Sequence, residues 1–534
     1  MANNLKETKE NLIKEIEQRV EDKILEPSNA EVLSKLINKA ETSEEASIIA
    51  ALGTTYKLTG FHFDKRLEKH MMTNTIKYFK KNKKLSFGEA KKGEPVHKLI
   101  IGDNYDALNN LLIQYKSKVD VIYIDPPYSK DSLGKSAETN YNNAISRDNL
   151  LSMLYFRLKL AKQLMSDDGV IFCSIDDRNQ SYVKCLFDEV FGEKNCVCNF
   201  MWKKTETPPS LSNKVRKKLE YVLCYTKYYN SSRIFAQGYI DGGDAPLLNN
   251  GNPLGQLEFP IGTVHFNIPD GIYKHEDFHT IKLLNEVVVK DGVNATPLIA
   301  EAHFKWGSDN LKQEIDKGTY FLIKSKQFSI RYQKEGNSTK KPSNIIDGEV
   351  GVGTNETANT ELDKLGFKGK FDYAKPVSLI EYLCKMGFWE QDELIVLDFF
   401  AGSGTTGHAV LNMNKPEGKS TFLLCQINEK SETTPNGIAY DVTCKRLKRI
   451  MTGECYDGSK DFKWIEENKP YGGKLEVYEI AEVSNSCDKE GETPFDVIDE
   501  TLYGKEKFSS IREKIEWVCS NFEKTQLTAP NIND

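Results

Sequence analysis

The chain has 534 residues, 39% hydrophobic and 28% charged, a balance typical of a globular protein of roughly two to four domains. Its net charge of −6 does not favour a nucleic-acid partner but does not exclude one, because local fields decide such binding. No apolar run approaches the roughly 18 residues of a membrane helix, and the charged start, MANNLKETKENLIKEIEQ, is unlike a signal peptide. The 11 cysteines are scattered and odd in number, so we expect reduced thiols in a cytoplasmic protein.

Apolar residues recur at helical spacing near the start of the chain. They fall on every fourth position at Leu12, Ile16, Val20 and Ile24, and the same face is expected to continue through Val32, Leu33, Leu36 and Ile37. A lysine-dense run, KKNKKLSFGEAKKGEPVH, follows. We therefore predict a helical N-terminal region that ends in a charged linker, together covering residues 1–95.

Strands and helices alternate from residue 96 onward. HKLIIGD, VDVIYID and DDGVIFCSID have the apolar character of buried strands, whereas NYDALNNLLIQY, SRDNLLSMLYFRLKLAKQLM and SYVKCLFDEVFG have helical spacing. Asp103 or Asn104 is placed to cap the first of these helices, and Gly192 to close the last. Strands separated by such helices predict a doubly wound, mostly parallel α/β sheet, whose first half we assign to residues 96–230.

The alternation stops after residue 230 and later returns. The stretch between is rich in Gly, Asn, Asp, Pro and aromatic residues with short β-like runs, which predicts an inserted domain over residues 231–365. FDYAKPVSLIEYLCKM, LIVLDFFAGSGTTGHAVLNM, STFLLCQINEK and AYDVTCKRLKRIM then restore the pattern, so residues 366–455 are predicted to complete the sheet. The charged C-terminal region, residues 456–534, is assigned neither to the sheet nor to the inserted domain.

A glycine-rich turn, LDFFAGSGTTG, follows the strand that ends at Asp398. Gly402 and Gly404 allow the backbone to turn tightly and approach a ligand, and the first N–H groups of the next helix favour an anion. The arrangement suits a nucleotide-like cofactor at the C-terminal edge of a parallel sheet. The alternative is an ordinary strand-to-helix turn that binds no ligand. No lysine follows these glycines as a phosphate loop requires, and the one GKS, at 418–420, precedes a strand, which argues against ATP binding.

A second motif, DPPY, ends the apolar strand VDVIYI. Its prolines donate no N–H to a strand ladder, so they present Asp125 and Tyr128 at the strand's tip. For an exocyclic purine amine, Asp125 and the carbonyl of Pro126 would each accept one N–H, which draws the nitrogen toward tetrahedral geometry and frees its lone pair. Tyr128 offers a flat face for an extruded base. The alternative is that Asp-Pro-Pro only terminates a strand.

DPPY and DFFAGSG together resemble the motifs of DNA amino-methyltransferases that use S-adenosylmethionine. The catalytic motif precedes the cofactor motif, which is similar to the circularly permuted β group of these enzymes, where the target-recognition region lies between the two. LIIGDNYDALNNLL, KLEYVLCYTK and NGIAYDVTCKRLKRI further resemble the modification subunits of type III restriction–modification systems. The resemblance implies methylation of adenine N6 in double-stranded DNA by base flipping, a homodimer, and a restriction (helicase–nuclease) subunit as partner.

The same resemblance implies roles for individual residues. Asp125 and Pro126, next to Pro127, would hold the adenine amine, and Tyr128 would stack on the base. The predicted contacts to S-adenosylmethionine come from four segments: Asp103; Lys375, Pro376 and Ser378; Asp398, Phe399, Phe400, Ala401, Gly402, Ser403, Gly404 and Thr405; and Gln426 with Asn428. Many relatives have an acid for the ribose hydroxyls where this chain has the two amides, which can also accept a hydrogen bond.

DNA contacts are predicted in two places. One is the basic segment KKTETPPSLSNKVRKKLEY, and the other is the inserted domain, where sequence specificity should lie. The candidates are Trp202, Lys203, Lys204, Lys214, Arg216, Lys217, Lys305 and Arg331. Each has an alternative as an ordinary surface or core residue.

A metal is not predicted, because methyl transfer from a sulfonium needs none. HEDFH, at 275–279, spells a zinc motif but lies in the irregular insertion with no clear helix or third ligand. Two other functions stay open: a DNA-recognition subunit that mainly targets a partner nuclease–helicase, and a free-standing regulatory methyltransferase. Since this chain has no phosphate loop, any ATP-driven translocation would come from another protein.

Overall fold

The computed structural model describes residues 2–21, 25, 27–52, 63, 75–128, 147–208, 214–238, 244–274, 278, 280–333, 339–371, 374–415, 418–484 and 493–522. The chain divides after residue 65 into two compact units. Within the described residues the first unit holds α1 (Ala2–Glu21), α2 (Pro27–Lys39) and α3 (Ser43–Leu52). None of the described helices is long and apolar enough to cross a membrane.

The three N-terminal helices bury one another's apolar stripes. Ile16 of α1 and Ile37 of α2 are fully buried at their centre. Val32 and Leu36, expected on the same face, are instead 55% and 44% exposed. A helix turns by about 100° per residue, so the inward stripe that includes Ile37 rotates its predecessor Leu36 toward solvent. Ile24 lies outside the described residues.

Strands and helices of the second unit follow in chain order. The strands are β1 (Thr75–Lys81), β2 (Val96–Ile101), β3 (Val119–Ile124), β4 (Met165–Ile175), β5 (Cys196–Lys203), β6 (Leu219–Thr226), β7 (Ala245–Pro246), β8 (Gly255–Phe259), β9 (Val264–Phe266), β10 (Gly271–Tyr273), β11 (Ile281–Leu283), β12 (Val287–Lys290), β13 (Val293–Asn294), β14 (Leu298–Ala302), β15 (Tyr320–Ile323), β16 (Ile330–Gln333), β17 (Ile345–Ile346), β18 (Ile395–Asp398), β19 (Thr421–Gln426) and β20 (Lys474–Ser484). The helices are α4 (Asn104–Tyr115), α5 (Arg147–Leu164), α6 (Gln180–Phe191), α7 (Ser308–Asp316), α8 (Asn355–Lys364), α9 (Val377–Gly387), α10 (Thr405–Met413), α11 (Lys445–Thr452), which a π-helical turn at Ala439–Cys444 precedes, α12 (Trp464–Glu467), α13 (Pro494–Val497) and α14 (Ile511–Phe522).

A ten-stranded sheet of order β1-β20-β2-β19-β18-β3-β4-β6-β5-β17 forms the body of this unit. The strands from β20 to β4 in that order are parallel to one another, and antiparallel strands flank them. Side chains of β3 alternate: Val121 and Tyr123 join a core shared with α8 to α11, whereas Ile122 and Ile124 are buried on the opposite face. The predicted doubly wound, mostly parallel α/β fold is confirmed, with the strand that leads into DPPY (β3) earlier in the chain than the strand that leads into the glycine turn (β18).

The C-terminal region supplies an interior strand that the sequence scheme left unplaced. β20 pairs with β2 on one side and with β1 on the other. Its alternation of buried Leu475 and Val477 with charged residues is a strand pattern that the charge density of the region hides. The range predicted as N-terminal region and linker therefore contains a strand of the sheet, β1, since it pairs with β20.

The inserted segment forms two small sheets around its own core. Their orders are β10-β12-β13-β9-β15-β16-β7 and β11-β14-β8, and their shared core includes Phe259, Phe321 and Phe328. This β-rich body covers described residues between 244 and 333, so it ends before the predicted boundary at 365. Beyond it, β17 pairs with β5, and Leu362 of α8 packs into the core of the large sheet.

Candidate active site

The two sequence motifs meet at one edge of the large sheet. β3 and β18 are adjacent and parallel, with Val121 beside Val396 and Ile122 beside Leu397. Asp125 directly follows β3, and Asp398 is the last residue of β18. Because parallel strands end at the same edge, DPPY and the glycine turn are neighbours there.

The Asp125 carboxylate is engaged by two partners. Its Oδ1 accepts a hydrogen bond of 2.7 Å from the Tyr128 hydroxyl, and its Oδ2 lies 2.6 Å from the Lys375 Nζ. The Asp125 side chain is still 26% exposed, so a ligand can reach it. Burial and the nearby Glu220 raise the pKa of Asp125, while the Lys375 ammonium opposes the rise.

Lys375 comes from the segment that leads into α9, where Pro376 occupies the capping position. Its Nζ lies 3.4 Å from Glu220 Oε2 as well as beside Asp125, and its side chain is 6% exposed. Burial disfavours the charged lysine, but the two carboxylates outweigh it and raise the pKa of Lys375. Lys375, predicted as a cofactor contact, therefore lies against the DPPY motif.

Asp398 anchors the glycine turn. Its Oδ1 accepts from the Phe400 N–H at 2.9 Å and its Oδ2 from the Thr406 hydroxyl at 2.5 Å. Burial raises the pKa of Asp398 to about 7. The two hydrogen bonds lower this pKa, and the charge of Asp125 makes a smaller contribution that raises it. Gly404 caps α10 with φ +81°, a backbone region that favours glycine.

Gln426, a predicted cofactor residue, and two side chains that the sequence did not single out, Thr443 and Arg446, hold the turn in place. The Gly402 N–H donates to Gln426 Oε1 at 2.6 Å, and the Gly402 carbonyl accepts from the Thr443 hydroxyl at 2.6 Å. Buried Arg446 donates to both Ser403 and Thr405 at 3.0 Å. In TCKRLKRI, Arg446 falls at helical spacing with the buried apolar residues, so its burial could have been predicted from the sequence. No local sequence pattern predicts the position of Thr443.

Other predicted cofactor residues have structural partners of their own. Asp103 caps α4 by accepting from the Tyr105 N–H and lies 3.0 Å from Arg157. Ser378 accepts from the Gly353 N–H at 2.9 Å. Asn428 donates to the Asn436 carbonyl at 2.8 Å and accepts from the Ala439 N–H at 3.1 Å, and Gln426 is occupied by Gly402. The role of the two amides toward a ribose stays a prediction.

Trp202 is a core residue and not an exposed DNA contact. Its side chain is fully buried, and its Nε1 donates to the Gly353 carbonyl at 3.0 Å. Alternation along β5 turns Trp202 inward, because successive strand residues face opposite sides. In this structure its ring is not available for stacking on DNA.

The basic DNA-contact candidates lie at or near the surface. Lys203 and Lys217 are paired with Glu206 and Asp177, whereas Lys204 lies 3.7 Å from the buried Glu220. Lys214 and Lys305 are exposed, Arg216 donates to the Pro208 carbonyl, and Arg331 is paired with Asp244. Their contact with DNA stays a prediction.

The zinc-like motif HEDFH falls mainly outside the described residues, which include only Phe278 of its five positions. Across the part of the chain that the structure describes, no three His, Cys, Asp or Glu side chains are grouped to hold a metal.

Comparison with known families gives two matches. A model described as a DNA methylase, for the N6/N4 methyltransferases, matches residues 119–434, which hold both motifs and the whole inserted segment. A second model, described as an uncharacterised conserved protein, matches residues 9–121.

Several curated proteins are similar over most of the chain. The StyLTI Mod subunit of a type III restriction–modification enzyme from Salmonella typhimurium is 29% identical over 62% of this chain and 53% of its own length. The EcoP15I Mod subunit from Escherichia coli is 28% identical over 70% of this chain and 65% of its own. The type II methyltransferase M.KpnI from Klebsiella pneumoniae is 26% identical, over 68% and 89%. The chain thus spans about half to two thirds of the length of the Mod subunits.

Solved structures show weaker similarity. PvuII DNA methyltransferase, which is cytosine-N4-specific, is 13% identical with a TM-score of 0.33, covering 68% of this chain and 96% of that one. The complex of M1.HpyAVI with S-adenosylmethionine is 15% identical with a TM-score of 0.29, covering 66% and 98%. Similarity at this level carries no argument of its own.

Proposed function

Because the chain belongs to the family of DNA methylases whose model matches residues 119–434, we propose that it methylates N6 of adenine in double-stranded DNA. The methyl donor is S-adenosylmethionine, and the protein acts as the modification and sequence-recognition subunit of a type III restriction–modification system. The similarity to Mod subunits supports the system and a restriction subunit as partner. The observation that carries the chemistry is the Asp125 carboxylate at the tip of β3, beside the glycine turn of β18.

Asp125 and Pro126 act on the amine of a flipped adenine. In the resting site the Tyr128 hydroxyl and the Lys375 ammonium occupy the two carboxylate oxygens. The incoming amine replaces the hydroxyl as the donor to Oδ1, and the Pro126 carbonyl accepts its second N–H. The Tyr128 ring, released from Asp125, is then free to stack on the base.

The glycine turn suits a cationic amino-acid cofactor. The buried Asp398 carboxylate lies at its start, and a side chain at Gly402 would enter the space beside Phe371, where a Cβ would come within 3.1 Å of the ring. Asp398 would hold the ammonium group, and residues 400–404 would surround the methionine part. When bound, S-adenosylmethionine supplies an electrophilic methyl group on a sulfonium.

Product analysis tests the proposal. Purified protein is incubated with labelled S-adenosylmethionine and DNA of mixed sequence, and the DNA is digested to nucleosides. We expect N6-methyladenine, and methylation mapping of genomic DNA from expressing cells should show one recognition sequence. N4-methylcytosine would contradict the proposed base. Site-specific DNA binding without methyl transfer would favour the alternative, a subunit that mainly targets a nuclease–helicase partner.

Cofactor affinity should fall as the pH is lowered through about 7. Because the pKa of Asp398 is raised to about 7, its carboxylate is charged above that pH and neutral below it. Protonation removes the attraction to the cofactor ammonium, so the dissociation constant should rise by up to about tenfold per pH unit on the acid side. Calorimetric titrations from pH 6 to 8.5 measure this dependence.

Two variants control that experiment. Asp398→Asn should bind the cofactor weakly at pH 8 and lose the pH dependence. Asp120→Asn is the matched control, because burial also raises the pKa of Asp120 but this carboxylate lies near the opposite end of β3, where it accepts from the Ile395 N–H. A wild-type pH dependence in Asp398→Asn would contradict the assignment.

A further inference from the structure

The Lys375 ammonium lies between two carboxylates that come from different strands. Its Nζ is 2.6 Å from Asp125 Oδ2, at the end of β3, and 3.4 Å from Glu220 Oε2, on β6. Tyr128 and Trp202 present their rings to it, with centroids at 5.6 and 5.9 Å. Lys375 therefore has two alternative anionic partners within a short movement of one side chain.

Glu220 is an unusual residue for its position. It is 4% exposed and stands opposite Trp202 in the β5–β6 pair, within the largely apolar strand LEYVLCYT. Burying a carboxylate costs several kcal/mol unless cations compensate it, and its cations are Lys375 at 3.4 Å and Lys204 at 3.7 Å. One carboxylate would suffice to hold Lys375 at Asp125, so the second one calls for a separate role.

We propose that Glu220 is a positioning residue that takes over the Lys375 ammonium when Asp125 engages the substrate amine. This inference rests on the proposed methyl transfer. With Lys375 moved to Glu220, Asp125 Oδ2 becomes a free acceptor. As the new C–N bond forms and the S–C bond breaks, the amine nitrogen becomes positive and releases one proton to the Asp125 carboxylate, which passes it to water. Lys375 stays protonated throughout.

The charged and titratable groups around this cluster come from every neighbouring strand. They are Tyr123, Asp125 and Tyr128 from β3 and its continuation, Cys173 from β4, Lys204 next to β5, Glu220 from β6, Lys375 before α9, and Asp398 from β18. Among them Glu220 is an anion that raises the pKa of Asp125, whereas Lys375 lowers it. Removing the charge of Glu220 must therefore lower the pKa of Asp125.

Glu220→Gln tests the proposal by single-turnover methyl transfer across pH. We expect the plateau rate to fall by on the order of 10²-fold, because Lys375 stays on Asp125. The acidic limb of the pH–rate profile, which follows the ionisation of Asp125, should move to lower pH. A carbon-13 NMR titration of the Asp125 carboxylate without cofactor should show the same decrease in its pKa. Glu220→Asp should restore the acidic limb to its wild-type pH and recover part of the rate.

Controls separate the outcomes. Glu381→Gln is the matched control, since Glu381 is another largely buried carboxylate, bonded to Asn412 away from Asp125, and its pH profile should match the wild type. A slower Glu220→Gln enzyme whose limb and NMR titration do not move would mean a merely structural role and overturn the proposal. Wild-type kinetics in Glu220→Gln would also overturn it, whereas no methyl transfer by the wild type would refute the proposed function itself.

Discussion

Asp125→Ala should abolish methyl transfer while cofactor binding stays measurable. The variant removes the carboxylate that accepts the amine's N–H and its departing proton, a contribution of about 10²- to 10⁴-fold in rate. The cofactor turn should survive, because Asp398, Gln426 and Thr443 hold it by bonds that do not involve Asp125. Lys375 keeps Glu220 as a counterion, so no buried cation is left unpaired.

Transfer of labelled methyl groups to DNA measures the rate, and calorimetry measures cofactor binding in the same preparation. Asp120→Asn serves as the control, because Asp120 belongs to the same strand but contacts Ser166 and the backbone of Ile395. Turnover by Asp125→Ala within a few-fold of the wild type would show that another group activates the amine.

Gly402→Asp should remove cofactor binding itself. Gly402 has φ +51°, and an added side chain would begin 3.1 Å from the Phe371 ring, in the space assigned to the cofactor. A non-glycine residue in this backbone region costs about 1–2 kcal/mol, which a domain of this size tolerates. The second carboxylate and the filled space should together weaken binding by at least about 100-fold.

Gly458→Asp is the matched control for this substitution. Gly458 also has positive φ, at +83°, and open space where a side chain would stand. It lies in a turn with Cys455, outside the proposed cofactor site. Both variants should keep a cooperative thermal transition, and only Gly402→Asp should lose calorimetric binding. Equal cofactor affinity in Gly402→Asp and Gly458→Asp would mean that the cofactor binds at another site.

The sequence was sufficient to bring the two motifs together. DPPY and the glycine turn each follow an apolar strand, and the parallel fold puts such strand ends at one edge. The alternation of strands and helices also located β2, β3, β4, β18 and β19, since these strands are buried on both faces and their apolar runs are continuous.

Contacts between distant segments could not be read from the chain. Lys375 lies 250 positions from Asp125, and its ion pair depends on how α9 approaches the sheet. Glu220 looks like a charged surface residue until β5 and β6 pair and cover it. Trp202, one of the DNA-contact candidates, is buried by the strand alternation of β5, which is the core alternative left open for it.

The position of β20 has a consequence for the order of folding. Thr75 of β1 pairs with Ser484 of β20, and among the described strands β1 joins the sheet through β20 alone. During synthesis, the edge of β2 that pairs with β20 therefore stays unpaired until β20 has been made, and the strands that lie between them in the chain can assemble first. Pairings between such distant segments form slowly, and open edges invite association with other chains. β20, the latest of the described strands in the chain, thus joins β2 to the edge strand β1.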